Sequence, residues 1–99
     1  MIKVREFFSR TSFHGATFEA SYNDLVKVFG EPQINDNLSE DKINFVWNLT
    51  INDIDCDIYD WKYYTIIDKN EVIEWNIATY DGYSSNLIKQ FIIDKLGML

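Results

Sequence analysis

The fold is decided between residues 43 and 58, where residues 43–51 read INFVWNLTI, residues 52–53 read ND and residues 54–58 read IDCDI. Apolar and polar side chains alternate in both longer segments, and a period of two is typical of strands with one buried face. The Asn52-Asp53 pair between them consists of residue types that favour a tight turn. The stretch therefore predicts an antiparallel hairpin.

The alternation divides each strand into two faces. One face is predicted to lie on the core and carries Ile43, Phe45, Trp47, Leu49, Ile51, Ile54, Cys56 and Ile58. The apolar pattern continues beyond the hairpin with an irregularity near residues 60–63, which predicts strands over about 43–51 and 54–67. A third strand is predicted over about 71–79, with Ile73, Trp75 and Ile77 towards the core.

Two helices flank this meander. Tyr22, Leu25, Val26 and Phe29 follow helical spacing after a capping signal at Ser21, and glycine and proline follow them, which predicts a helix over 21–29. A second helix is predicted over 85–96, with a cap at Ser84 or Ser85. Its predicted buried stripe consists of Leu87, Ile88, Phe91, Ile92 and Leu96.

Together these elements predict an α+β fold, a single domain over residues 1–99. Its core is an antiparallel three- to four-stranded meander packed with two helices. The first twenty residues are interpreted as a short strand or extended arm, and Gly15-Ala16-Thr17 is predicted to interrupt the regular structure there. Residues 33–42 are polar and are predicted to form an exposed loop.

Composition limits the function classes. The net charge of -7 disfavours direct binding of nucleic acid, because a predominantly acidic surface does not neutralise phosphates. The same charge fits either a surface that imitates nucleic acid or a protein kept soluble by acidic residues. Cys56 is the only cysteine, so neither an internal disulfide nor a thiolate zinc site is expected. We expect a cytoplasmic protein without a membrane segment.

Catalytic and metal sites find little support. The aspartates at 53, 55, 57 and 60 do not match a calcium loop, which would require glycine where Ile58 stands. Asp60-Trp61-Lys62 resembles the acid-x-lysine element of a metal-dependent nuclease, and this remains an alternative. His14 has no fixed partner for nucleophilic catalysis. No cofactor, metal site or catalytic set is predicted, and the sequence favours a protein that is not an enzyme.

The remaining signal is an acidic, aromatic stretch on the face opposite Ile58. Aromatic side chains give a recognition surface much contact area at little entropic cost. The predicted binding residues are Asp55, Asp57, Tyr59, Asp60, Trp61, Lys62, Tyr63 and Tyr64. The alternative is that the C-terminal helix covers this face and buries them.

An ordered set of short motifs resembles a family of small proteins encoded by bacteriophages. The set consists of Phe29-Gly30-Glu31-Pro32, Lys42 before a strand with Trp47, residues 58–62 reading IYDWK, and Trp75-x-Ile77. The similarity runs from about Gly15 to the last helix. Where that family often has Gly-Gly-His after the last strand, this chain has ATY at 78–80. The resemblance implies a phage origin and this architecture, and no reaction.

These observations lead to three hypotheses. The preferred one is a phage-encoded, non-catalytic protein that inhibits a host defence or nucleic-acid-processing protein in the infected bacterial cytoplasm. The second is a protein that sequesters a nucleotide signal, using Lys62, Lys42 or Arg10 for phosphate. The third is the small metal-dependent nuclease. Exposed strand edges also allow a homodimer.

Overall fold

A computed structural model describes residues 2–4, 13–35, 43–61 and 66–99. Within them lie six strands and two helices. The strands are β1 (Ile2–Val4), β2 (Phe13–Ser21), β3 (Ile34–Asn35), β4 (Phe45–Ile51), β5 (Ile54–Tyr59) and β6 (Val72–Thr79). The helices are α1 (Tyr22–Phe29), between β2 and β3, and α2 (Gly82–Leu96), after β6. The predicted α+β class is confirmed.

One antiparallel sheet holds all of these strands in the order β1-β4-β5-β6-β2, with β3 also paired to β4. The predicted meander is its centre, β4-β5-β6. The turn at Asn52 and Asp53 has φ of 50° and 66°, so both residues are left-handed, and Ile51 pairs directly with Ile54. This is the two-residue geometry that matches the twist of the flanking strands.

The N-terminal region differs from the prediction. Gly15, Ala16 and Thr17 do not break the chain, because they lie within β2, which pairs with β6. The glycine falls in a register shift between Phe13 and Ala16, where a bulge accommodates the irregular sequence. The meander therefore gains β2 on one side and the short β1 and β3 on the other.

Two other boundaries also differ. The second strand of the hairpin ends at Tyr59 instead of reaching residue 67, because the side chain of Asp60 accepts the N–H of Phe45 at 2.8 Å, where the next ladder bond would form. Helix α2 begins three residues before the predicted start, since Asp81 caps it by accepting the N–H of Ser84 at 2.7 Å. That backbone N–H also lowers the pKa of the Asp81 carboxyl.

Neither predicted serine caps α2. Ser85 is instead fully buried, with its hydroxyl 2.6 Å from that of Thr79. Ser85, Ile88 and Ile92 form the buried side of the helix, with Phe91 and Leu96 partly buried beside them. Leu87 was predicted in the buried stripe, and that is wrong, since 44% of it is exposed.

Both helices pack on the same side of the sheet, which we call the core face. It is lined by the strand residues that the alternation assigned to the core, among them Phe45, Trp47, Leu49, Cys56, Ile58, Trp75 and Ile77, each 0% exposed. The aromatic rings among them pack against aromatic side chains of α1. Tyr22 lies 4.4 Å from Phe45 between ring centroids, and the Trp47 and Trp75 rings meet edge to face at 5.4 Å. Such tilted contacts stabilise a core beyond the area buried.

The two core tryptophans also fix the ends of α1. The indole N–H of Trp75 donates to the carbonyl of Ala20, just before the helix, at 2.9 Å. The indole N–H of Trp47 donates to the carbonyl of Gly30, just after it, at 2.8 Å. Gly30 has φ of 83°, and its own N–H closes the helix on Val26. A short helix is thereby positioned by the sheet beneath it.

Candidate functional site

The face opposite the helices, which we call the second face, is where the binding residues were predicted. It consists of the alternate residues of each strand, including Val46, Asn48, Asp57, Tyr59 and Ala78 in the middle of the sheet. These five side chains are buried, with exposed fractions of 9% or less. The middle of the second face is therefore not open to a partner.

Helix α2 does not cause this burial. Its inward residues Ile88 and Ile92 join the cluster on the core face, whereas Val46, Tyr59 and Ala78 form a separate cluster with Ile43 packed against it. The alternative that the C-terminal helix covers Tyr59 and its neighbours is therefore wrong. Ile43 was assigned to the core face and is found in this second cluster.

Asp57 and Tyr59 have structural roles within the second face. Asp57 accepts the side-chain amide of Asn48 at 2.8 Å. Burial raises the pKa of the Tyr59 phenol, and the charge of Asp57 raises it further. Asp55, nearer the turn, is half-buried and accepts the hydroxyl of Thr50 at 2.7 Å.

Asp60 is fully buried and organises the start of β4. One of its oxygens accepts the N–H of Asn44 at 2.9 Å and that of Phe45 at 2.8 Å. The other accepts the side-chain amide of Asn44 at 3.1 Å. Burial raises the pKa of this carboxyl, while the backbone N–H groups oppose the rise. Its oxygens already serve the backbone, which supports a structural role for Asp60 over the ligation of a metal.

Among the predicted binding residues that the structure describes, Trp61 is the most exposed. It is 44% exposed, and its ring meets the Tyr59 ring edge to face at 6.3 Å between centroids. Tyr59 pairs with Asn76, so Trp61, two residues later, and Glu74, two residues earlier on the antiparallel strand, lie at the same end of the face. Val72, two residues before Glu74 on β6, belongs to the same face and is 62% exposed.

Sequence reasoning did not predict Val72, Glu74 or Glu19 as binding residues, and Glu19 was furthest from the predicted stretch. It lies on β2 directly opposite Glu74, and both side chains are exposed. The signal was the alternation of residues 16–20, reading ATFEA, in which Ala16, Phe18 and Ala20 are buried. We call the group Trp61, Val72, Glu74 and Glu19 the Trp61 end of the second face.

The remaining predicted residues lie outside the described part of the chain. These are Lys62, Tyr63 and Tyr64, together with Lys42 and Arg10, the other cations proposed for phosphate. The backbone of His14 belongs to β2, and its side chain is likewise not described. The nucleotide-sequestering hypothesis and the acid-x-lysine element of the nuclease hypothesis therefore stay predictions.

Three further observations bear on function. Among residues 2–4, 13–35, 43–61 and 66–99, no three His, Cys, Asp or Glu side chains are grouped so as to hold a metal ion. Cys56 is not part of a disulfide and has 0% exposure. Neither helix of the described chain combines the length and apolar character needed to cross a membrane.

The fold and site define a small α+β protein whose sheet carries two helices on one face and an acidic, aromatic end on the other. No protein-family model, no curated protein and no solved structure matches this chain.

Proposed function

We propose that this chain is a phage-encoded, non-catalytic binding protein that docks on a host protein through the Trp61 end of the second face. The observation that carries the proposal is a large aromatic side chain, that of Trp61, which is 44% exposed and meets the ring of buried Tyr59 edge to face. Aromatic anchors set on a rigid support dominate the energetics of protein interfaces, because little entropy is lost when they are buried.

The charge around Trp61 indicates the partner's character. Glu19 and Glu74 lie at the same end, and the chain as a whole carries -7. Such a surface complements a basic groove and repels phosphates, which increases the rate of association with basic partners. A host protein that itself handles nucleic acid, for example in defence, has a basic surface of this kind, and its occupation would inhibit it.

A pull-down from host lysate tests the proposal. Three tagged proteins are compared: the wild type, Trp61→Ala, and Tyr83→Ala as the matched control. Tyr83 is an aromatic residue, 75% exposed, on α2, the helix that packs on the core face. We expect one host protein to be captured by the wild type and the control and to be lost from Trp61→Ala, while all three melt at the same temperature.

Two outcomes would contradict the proposal. If Tyr83→Ala loses the partner as completely as Trp61→Ala does, the Trp61 end is not the docking surface. If no protein is captured and a nucleotide is released from the purified wild type, the sequestering hypothesis replaces the inhibitor hypothesis. A ligand of that kind would also raise the melting temperature by mass action.

A further inference from the structure

The two edges of the sheet are built differently. The outer side of β4 is filled along its length, although the strands that fill it are short. β3 pairs with Phe45 and Val46, and β1 pairs with Leu49 to Ile51. In the gap between them, the side-chain amide of Gln33 makes two hydrogen bonds to the backbone of Asn48. It donates to the carbonyl at 2.9 Å and accepts the N–H at 2.9 Å. This edge offers little room for another strand.

The opposite edge is formed by β2, and no described strand pairs with its outer side. Within the described residues β2 pairs with β6 alone and ends the strand order of the sheet. Its register is regular from Ala16 to Ser21, after the bulge, and this stretch spans about 20 Å at about 3.4 Å per residue. Alternate residues of an edge strand turn their N–H and C=O groups away from the sheet, which is a template for strand addition.

Proteins usually protect such an edge with a short strand, proline or a lysine. The regular part of β2 has none of these and carries a single charged residue, Glu19. Glu19 is exposed, and no cation among the described residues forms an ion pair with it. A strand added to β2 would place one residue directly opposite Glu19, on the second face and in the same row as Glu74.

We infer that the outer edge of β2 accepts an extended strand from a partner protein, with lysine or arginine opposite Glu19. Opposite charges on directly paired residues stabilise a sheet, and like charges destabilise it. Main-chain hydrogen bonds would supply affinity, and the row of Glu74 and Glu19 would supply selectivity for a basic strand.

A second copy of the chain fits this edge poorly. Antiparallel pairing of two β2 edges would bring the Glu19 and Glu74 carboxylates of both copies onto one continuous face. Each copy also carries a net charge of -7, which opposes association. The source of the strand, a host protein, rests on the proposed function, whereas the strand-accepting edge is a property of this chain alone.

The test is a titration of the nitrogen-labelled protein, followed by amide NMR and hydrogen exchange. The probes are two capped peptides long enough to span Ala16–Ser21, alternating valine and threonine, with lysine or glutamate at the central polar position. We expect the amides of β2 to shift and to become protected, at about fivefold lower concentration with the lysine peptide. The preference should reverse in Glu19→Lys and persist in Asp94→Lys, which makes the same charge change on the exposed side of α2.

Three other outcomes overturn the inference. No change at β2 with either peptide at millimolar concentration means that the edge does not accept strands. Equal binding of both peptides removes the role of Glu19. Protection of β2 in the free protein, together with sedimentation as a dimer, makes a second copy the occupant. A failed pull-down with a positive titration would leave the edge in place and reject only the host inhibitor.

Discussion

The side-chain amide of Gln33 occupies the position of a peptide group beside Asn48. Its Nε2 donates to the carbonyl of Asn48 at 2.9 Å, and its Oε1 accepts the N–H of Asn48 at 2.9 Å. One side chain thus completes the ladder between β3 and β1, which are two and three residues long. The central strand β4 is satisfied on both sides as a result, which matters because unpaired backbone groups in a sheet are costly.

Gln33→Glu tests this arrangement. At neutral pH the introduced carboxylate accepts the N–H of Asn48 but repels its carbonyl, so we expect a loss of about 1–2 kcal/mol in the free energy of unfolding. A protonated carboxyl can donate to that carbonyl, so its pKa is raised in the folded state. Its contribution to stability should therefore be fully present below the ordinary glutamate pKa of about 4.3 and be lost as pH rises from there through the raised folded pKa. Gln33→Met, which removes both hydrogen bonds without a charge, should lose stability to the same extent at every pH, and equal pH profiles would contradict the account.

Asp53→Gly is predicted to stabilise the hairpin. Asp53 has φ of 66°, a conformation that is strained for a residue with a Cβ and unstrained for glycine, and Asn-Gly is the favoured pair in this turn. We expect a gain of about 0.5–1 kcal/mol in chemical denaturation, close to the range for relieved backbone strain. Asp68→Gly is the control, because its backbone has no positive φ. A loss of stability in Asp53→Gly would show that the side chain matters more than the strain.

The hairpin, β6 and α1 could be predicted from the sequence because their signals are local. Alternation identified Phe45, Trp47, Cys56 and Ile58 as core residues, and helical spacing with a cap identified α1. Strand β2 could not be identified in this way, because Gly15 is a residue type that is common in turns. The bulge that accommodates it depends on pairing with β6, which is more than fifty residues away in the chain.

The candidate site was predicted less well, for a related reason. Alternation places Asp57, Tyr59 and Trp61 on one face, but it carries no information on which part of that face is covered. Asp57 and Tyr59 are buried and Trp61 is exposed. Asp60 was expected at a surface because aspartate is usually exposed, whereas its hydrogen bonds to Asn44 and Phe45 allow it to be buried.

Trp47→Phe and Trp75→Phe should each lower the free energy of unfolding by about 2–4 kcal/mol, because each removes buried volume and leaves a carbonyl beside α1 without its donor. The centroids of the two rings lie 5.4 Å apart, so the rings are in contact. The double variant should therefore lose less free energy of unfolding than the sum of the two single variants. Urea denaturation measures all three. Trp61→Phe, at an exposed position, is the control and should change stability by less than about 0.5 kcal/mol. Strict additivity would show that the contact between the two indoles does not couple them.

Asp60 should make the protein less stable as pH rises, the reverse of the usual carboxylate. Burial raises its pKa above the ordinary value of 3.8, so the folded state holds a proton that the unfolded chain has released. Its contribution is therefore present below the unfolded pKa and is lost as pH rises from there through the raised folded value. Asp60→Asn is neutral at every pH, so the stability difference between wild type and this variant should move against the wild type across that range.

The amide in Asp60→Asn also bears on Asn44, whose Oδ1 is buried without a hydrogen-bond partner among the described residues. If the Asn44 amide turns over, this oxygen can accept from the introduced NH₂, while the carbonyl oxygen at position 60 keeps the N–H of Phe45. We therefore expect Asp60→Asn to be tolerated at neutral pH. Asp60→Ala should cost about 2–4 kcal/mol, because the buried N–H groups of Asn44 and Phe45 lose their acceptor. Denaturation of both variants at several pH values measures this, and an Asp60→Ala variant as stable as Asp60→Asn would show that those donors find acceptors elsewhere.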